Sequence, residues 1–282
     1  MATILDTLKK GTEYLQKHGV EEARLNMEWL IAHVIKVGRM QLYIDFDRDI
    51  PESALENLRD LTKRRGRGEP LQHLLGTVEF CDLDFKTDGR ALIPRPETED
   101  LTRRLLAREW SRDSAILDLG CGSGVIGLSL AHGLMGKGVS VTLADISPEA
   151  LSLAKENTIV LPEGSEVRFL ESDLFTAIEG SFDLIAANLP YIPAADETSL
   201  SREVQRDPAV ALYGGALGTE IMERFLREAP AYLKPGGFIA MEFGIGQAET
   251  LRLRAEEAGF QSVEIHSDLA GIERFLFATK SA

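Results

Sequence analysis

The 282 residues, 44% hydrophobic and 27% charged, can bury a sizeable core and exceed the usual single-domain size, so a globular chain with one larger and one smaller domain is expected. A formal net charge of -14 argues against stable nucleic-acid binding that rests on duplex phosphates, because that mode needs a concentrated basic surface. No apolar run approaches spanning length, Met1–Lys10 lacks the order of a secretory signal, and only Cys81 and Cys121 occur, so a cytoplasmic protein with no membrane contact, no disulfide and no cysteine-rich metal site is expected.

From Ile4 to about Arg65 the apolar residues recur at helical spacing, as in Ala23, Met27, Leu30, Ile31 and Val34, which predicts a small helical domain. The basic run Lys63-Arg64-Arg65-Gly66-Arg67 reads as cations in a last helical turn, complementing the dipole before a glycine. Between Gly68 and Pro96 the pattern changes. Glu79–Lys86 partly alternates, Asp88-Gly89 is a hairpin-type turn and Ala91-Leu92-Ile93 is extended again, so a hairpin linker is expected. Arg95-Pro96-Glu97-Thr98-Glu99 then opens a helix with proline and acids in its first turn, running to about Trp110. Arg95 and Glu97 have two open readings, substrate or hinge contacts or an ordinary capped helix start.

The remainder alternates strand and helix, which implies a mostly parallel sheet covered on both faces. Strands are predicted at Ala115–Leu119, Ser140–Ala144, Glu166–Leu170, Asp183–Ala187 and, after the turn Lys234–Gly237, at Phe238–Phe243. Helices are predicted at Val125–Leu134, Pro148–Asn157, Thr219–Tyr232 and Gln247–Ala258. Two last runs, Ser262–His266 and Arg274–Thr279, are expected as an antiparallel edge.

Asp118-Leu119-Gly120-Cys121-Gly122-Ser123-Gly124 closes the first strand and opens a helix, so a backbone without Cβ atoms can pass close to a ligand. Gly122-x-Gly124-x-x-Gly127 also satisfies a dinucleotide fingerprint, but a pyrophosphate would be repelled by Asp118. A cationic cofactor is favoured instead, and S-adenosyl-L-methionine has the matching parts. Asp118 and the Gly120–Gly124 backbone suit its ammonium-bearing methionyl end, Asp145 its ribose diol, and Asp173 with Leu174 its adenine. Cys121 needs only to be small in this loop and is not expected to act as a nucleophile. At the end of the fourth strand, Asn188-Leu189-Pro190-Tyr191 joins an amide, a stiffened backbone and a ring, a set suited to a planar nitrogen-bearing group. None of His18, His33, His73, His132 and His266 has metal-ligand spacing to a carboxylate or cysteine, and no metal is expected.

These site segments resemble class I methyltransferases that modify planar exocyclic nitrogens. Three further marks, Gly68–Gly76 (Gly-Glu-Pro-Leu-Gln-His-Leu-Leu-Gly), Leu92–Glu99 (Leu-Ile-Pro-Arg-Pro-Glu-Thr-Glu) and Asp268–Arg274 (Asp-Leu-Ala-Gly-Ile-Glu-Arg), extend the resemblance over the whole chain. It is similar to the release factor glutamine methyltransferases of the HemK or PrmC type. The resemblance implies an α/β fold of the Rossmann-like class I methyltransferase kind, with a helical substrate-binding domain over 1–75, a β-hairpin linker over 76–94 and the S-adenosylmethionine-dependent domain over 95–282. It implies methyl transfer to the glutamine amide of the Gly-Gly-Gln motif in peptide-chain release factors, with a monomer expected. Asn188 and the Leu189 carbonyl would hold the amide, Pro190 would stiffen the segment, and Tyr191 would pack on the amide plane; Asn188 also borders the cofactor. The family usually has proline where Leu189 stands, and leucine there is the pattern of ribosomal RNA adenine dimethylases. An adenine amino-group methyltransferase is therefore the alternative, although those enzymes carry their helical domain after the catalytic core.

Overall fold

The computed structural model describes residues 2–281, which cluster into two compact units. The first runs to Thr77 and is joined by Ser201–Arg206. It contains α1 (Ile4–Lys17), α2 (Ala23–Ile35), α3 (Glu52–Gly66) and the short α4 (Leu71–Leu75). Thr3 caps α1 by accepting from the Asp6 N–H at 3.2 Å, one of the orphan donors of a helix start. The apolar faces of the first three helices meet in a core of Leu8, Leu15, Met27, Leu30, Ile31, Leu58 and Leu61. Among the basic residues of α3, Arg64 donates to both oxygens of Glu69, and Arg65 is not a solvated dipole partner but a buried one. It donates to Asn26 Oδ1 at 2.7 Å and pairs with Glu203 of the joining segment.

The second unit takes Val78–Leu200 and the chain from Asp207 onward. Its centre is a seven-stranded sheet of β1 (Ala115–Leu119), β2 (Ser140–Asp145), β3 (Glu166–Glu171), β4 (Phe182–Asn188), β5 (Leu233–Glu242), β6 (Phe260–Ser267) and β7 (Glu273–Lys280). The strands lie in the order β6-β7-β5-β4-β1-β2-β3. Pairing is parallel except for β7, which is antiparallel to both β5 and β6. The two last strands are thus paired as the sequence predicts, but β7 is inserted inside the sheet and β6 alone forms that edge.

Both faces are covered, which explains the continuous apolar runs of the parallel strands. One face packs α8 (Glu220–Glu228) and α9 (Ala248–Glu257) through Met222, Phe225, Leu226 and Leu251. The other packs α5 (Pro96–Leu106), α6 (Val125–Gly133) and α7 (Pro148–Glu156) through Leu101, Leu105, Leu128 and Leu151. Each such fully buried side chain contributes roughly 1.5–3 kcal/mol. Among the described residues no helix is long and apolar enough to cross a membrane.

Three local expectations are corrected. The hairpin pairs Thr77–Phe80 with Leu83–Lys86, so its turn is Cys81-Asp82 and not Asp88-Gly89. Both turn residues have positive φ, 50° and 62°, the sign pattern of a type I′ turn. Glu99 Oε1 accepts the Cys81 N–H at 3.0 Å, a support supplied by a distant helix that outweighs the poor local propensity. Asp88 instead accepts from the N–H and guanidinium of Arg90, and Ala91–Ile93 forms no strand. Helix α5 ends at Leu106, before the expected Trp110, because the buried Trp110 indole folds back and donates to the Leu105 carbonyl at 2.9 Å. Lys234–Gly237 lies within β5 as a break in its register with β4.

Asn157, fully buried, locks the hairpin to the sheet side. Its Oδ1 accepts from Lys86 N at 2.7 Å, and its Nδ2 donates to the carbonyls of Lys86 and Ser123 at 3.1 and 3.0 Å. Asn157→Ala leaves three backbone groups without their partner, and we expect it to lower unfolding free energy by about 2–3 kcal/mol in urea denaturation, with a change below about 0.5 kcal/mol showing the bonds to be dispensable.

Candidate active site

Parallel register brings the carboxyl ends of β1, β2, β3 and β4 to one edge of the sheet, where a cavity opens. Its floor is the loop after β1. Gly120, Gly122 and Gly124 have φ of 73°, 55° and 83°, a conformation side chains resist. A Cβ on Gly124 would also meet Leu128, Leu143 and Ala154 at 3.0 to 3.1 Å, so this glycine sets how closely α6 lies on the sheet. The loop is fixed from β2: the N–H groups of Gly120 and Cys121 both donate to the Ala144 carbonyl, and that of Gly122 donates to Asp145 Oδ2 at 2.8 Å.

Gly120, Cys121, Gly122, Ser123, Asp145, Asp173, Leu174, Asn188, Leu189 and Pro190 all line the cavity, whereas Asp118, Gly124 and Tyr191 do not. Asp145 Oδ1 accepts from Ser147 N at 2.9 Å. Burial raises its carboxyl above the ordinary range, against the backbone donors of Ser147, Gly122 and Ile146 that favour the charged form. A carboxylate offers about four acceptor sites, so capacity remains for a ligand hydroxyl. Asp173 is half-exposed, and both of its oxygens are engaged by Arg224, at 2.8 and 3.0 Å. Leu174, at φ 46°, is held by the Ser172 hydroxyl, which donates to its carbonyl at 2.6 Å. Burial lifts the Cys121 thiol well above its ordinary value, the opposite of what a nucleophile needs.

Asp118 lies beneath the cavity, wholly buried. Its Oδ2 accepts from Gly127 N at 2.8 Å, so it holds the first turn of α6, while Oδ1 has no partner. Burial, with the nearby charge of Asp145, pushes its carboxyl up to about 7, against the Gly127 bond.

At the end of β4, Asn188 sits level with Glu242 of β5. Asn188 Nδ2 donates to Thr98 Oγ1 at 2.8 Å, and the Thr98 hydroxyl donates to Glu242 Oε2 at 2.6 Å. The Tyr191 hydroxyl makes a longer, 3.4 Å contact to Glu242 Oε1. Glu242 is only 2% exposed. Burial pushes its carboxyl up to about 7, helped by Glu97 and opposed by Thr98 and Arg274. Burial and the Glu242 charge likewise raise the Tyr191 phenol well above its ordinary range. Gln247 fixes the backbone here, donating from Nε2 to the Tyr191 carbonyl at 2.9 Å. Leu189 is buried, and its side chain rests over Gly120, where an added Cβ would come within 2.9 Å. Arg95 pairs with the buried Asp207 at 2.6 Å, and Asp207 also accepts from Ile93 N.

The sequence reading missed Thr98, Glu242 and Ile146. A carboxylate ending the apolar strand Phe238–Phe243 was the available signal for Glu242, since an unpaired buried charge is costly. Ile146, 51% exposed yet lining the cavity beside Asp145, had a weaker one, an apolar residue directly after a strand-end carboxylate.

The family described as PrmC N-terminal domain matches residues 6–76, and one described as methyltransferase domain matches 111–257. The chain is 40% identical over 274 residues to a release factor glutamine methyltransferase of Geobacter sulfurreducens, covering 96% of this chain and 95% of the relative. It is 37% identical over 278 residues to one of Deinococcus radiodurans, covering 98% of each. In fold it is similar to a methyltransferase from Pyrococcus furiosus, with TM-score 0.53 at 20% identity over 71% of this chain and 90% of that one.

Of the three raised carboxyls, that of Asp118 illustrates the consequence for stability. An aspartate ordinarily titrates near 3.8, and Asp118 near 7 when folded, so the folded state holds a proton that the unfolded state releases in between. Stability from this group is fully present below the ordinary value and declines as pH rises to about 7. We expect the ligand-free protein to be less stable at pH 8 than at pH 5 in denaturant midpoints, with Asp118→Asn shrinking that difference. An equal difference in both proteins would remove Asp118 as its source.

Proposed function

We propose that this chain, which belongs to the release factor glutamine methyltransferase family, transfers a methyl group from S-adenosylmethionine to the side-chain amide nitrogen of the Gly-Gly-Gln glutamine in peptide-chain release factors. The observation that carries this is the shared cavity: Asn188 and Leu189 open onto the same space as the glycine loop and Asp145.

The residues around that space fit the cofactor. The glycine loop offers a surface free of side chains, Asp145 retains acceptor capacity for a diol, and Ile146 and Leu174 offer apolar faces for a flat base. Asp118, whose Oδ1 has no partner, would supply negative potential suited to a cationic ligand once ionised, and such a ligand in turn favours its ionised form. When bound, S-adenosylmethionine supplies an electrophilic methyl carbon. The protein's part is positioning. Asn188 Oδ1 and the Leu189 carbonyl accept the two hydrogens of the substrate amide, which turns its nitrogen lone pair out of conjugation and fixes its direction. Pro190 limits the freedom of that carbonyl, and Tyr191, packed in the core, backs the segment. No side chain of strong basicity is needed, since the rate comes from groups placed in advance.

Leucine at 189 keeps the carbonyl that proline would supply, and its side chain is used in packing over Gly120. It therefore does not favour the adenine alternative. The free thiols of Cys81 and Cys121 support a reducing, cytoplasmic setting.

Labelled methyl transfer to a purified release factor tests the proposal, with the Gly-Gly-Gln glutamine changed to alanine as control. Label is expected on the natural factor only; label on the control, or on RNA alone, would overturn it. In the same assay Asn188→Ala should cut turnover by roughly 10²-fold or more, and an unchanged rate would remove Asn188 from the site.

A further inference from the structure

With Glu242 ionised, Thr98 gives its one hydroxyl proton to Glu242 Oε2 at 2.6 Å. Its oxygen can then only accept from Asn188, and it does so from Nδ2 at 2.8 Å. The direction of this chain has a consequence for the amide at its end. With the amide reversed, Asn188 Oδ1 would face an oxygen that has no proton left to offer, two acceptors at hydrogen-bond distance. The reversed amide would also turn its NH2 toward the cavity, donor against donor for a substrate amide that needs an acceptor.

We infer that Thr98 and Glu242 are positioning residues that lock the flip of the Asn188 side chain, so that Oδ1 and not Nδ2 meets the amide to be methylated. The inference rests on the acceptor role given to Asn188 above. Both members of the relay are buried, Thr98 at 3% and Glu242 at 2% exposure, although Thr98 borders the cavity. Glu242 does not line the cavity; it acts at a distance through one hydroxyl. The parallel register that sets Glu242 beside Asn188 keeps the two ends of the relay in fixed relation, and Thr98 reaches them from the first turn of α5. The same carboxylate takes the Tyr191 contact on its other oxygen, so the amide and the ring of the acceptor segment share one buried anchor.

A flip lock predicts effects that a packing role does not. Thr98→Val keeps the shape and loses the hydroxyl; its kcat should fall roughly 10- to 100-fold, while KM for the release factor and affinity for S-adenosylmethionine stay within about threefold. Thr98→Ser, which restores the hydroxyl, should recover most of that loss. Glu242→Gln still offers an acceptor oxygen to Thr98 and should retain most turnover, whereas Glu242→Leu should behave like Thr98→Val. Because the lock acts only through Asn188, Thr98→Val placed on Asn188→Ala should lower turnover by less than about twofold further. Should Thr98→Val lose cofactor affinity along with turnover, Thr98→Ala takes its place in the comparison. Turnover of the Thr98 variant within twofold of the natural enzyme, or its full loss repeated on Asn188→Ala, would overturn the lock while leaving the methyl transfer itself intact. A natural enzyme that fails to label the release factor would overturn both.

Discussion

Parallel pairing of β4 with β1 on one side and β5 on the other decides the geometry of the site. Leu119 stands level with Ala187, and Asn188 level with Glu242. In a parallel sheet the strands end together on one edge. The residues that follow each strand therefore meet without any long-range signal in the sequence: the glycine loop after β1, Ile146 after β2, Leu174 after β3 and Leu189 after β4. Their separation is set by the backbone pairing in the middle of the sheet.

That edge is also where burial of polar groups is concentrated. Asp118, Glu242 and, in part, Asp145 are taken out of water in a sheet whose other buried positions are apolar. Isolated buried carboxylates are costly, and here each has a structural return. Asp145 and Asp118 accept from the backbone of the glycine loop and of α6, so they shape the loop as well as charge it. Glu242 organises α5 and the acceptor segment through Thr98 and Tyr191. The charges at the site are thus part of its framework.

The fold was largely readable because its signals are local. The strand runs Ala115–Leu119 and Phe182–Asn188 are mostly apolar, broken only by Asp118, Asp183 and the terminal Asn188, and Gly120, Gly122 and Gly124 mark a loop that glycine tolerates best at those φ values. What escaped was set by partners far along the chain. The Cys81-Asp82 turn has poor turn chemistry and depends on Glu99, so Asp88-Gly89 was the better local candidate. Helix α5 stops early because an indole turns back on it. Nothing nearby distinguishes β7 as the strand that enters the sheet between β5 and β6. In the site, the carboxylates at strand ends were visible, but the orientation of Asp118 was not, since it depends on Gly127 lacking a side chain: a Cβ there would crowd Asp118 at 3.0 Å. Thr98 and Glu242 are 144 positions apart, and only the folded chain joins them.

The contact of Leu189 with Gly120 links the two halves of the cavity before any ligand arrives. The Asn188–Tyr191 segment packs on the glycine loop, so under the proposed function the gap that a methyl group crosses is set in part by this contact. Gly120 is constrained twice: its φ of 73° resists any side chain, and the Leu189 side chain fills the space that a Cβ would take, so a change at either position alters that contact.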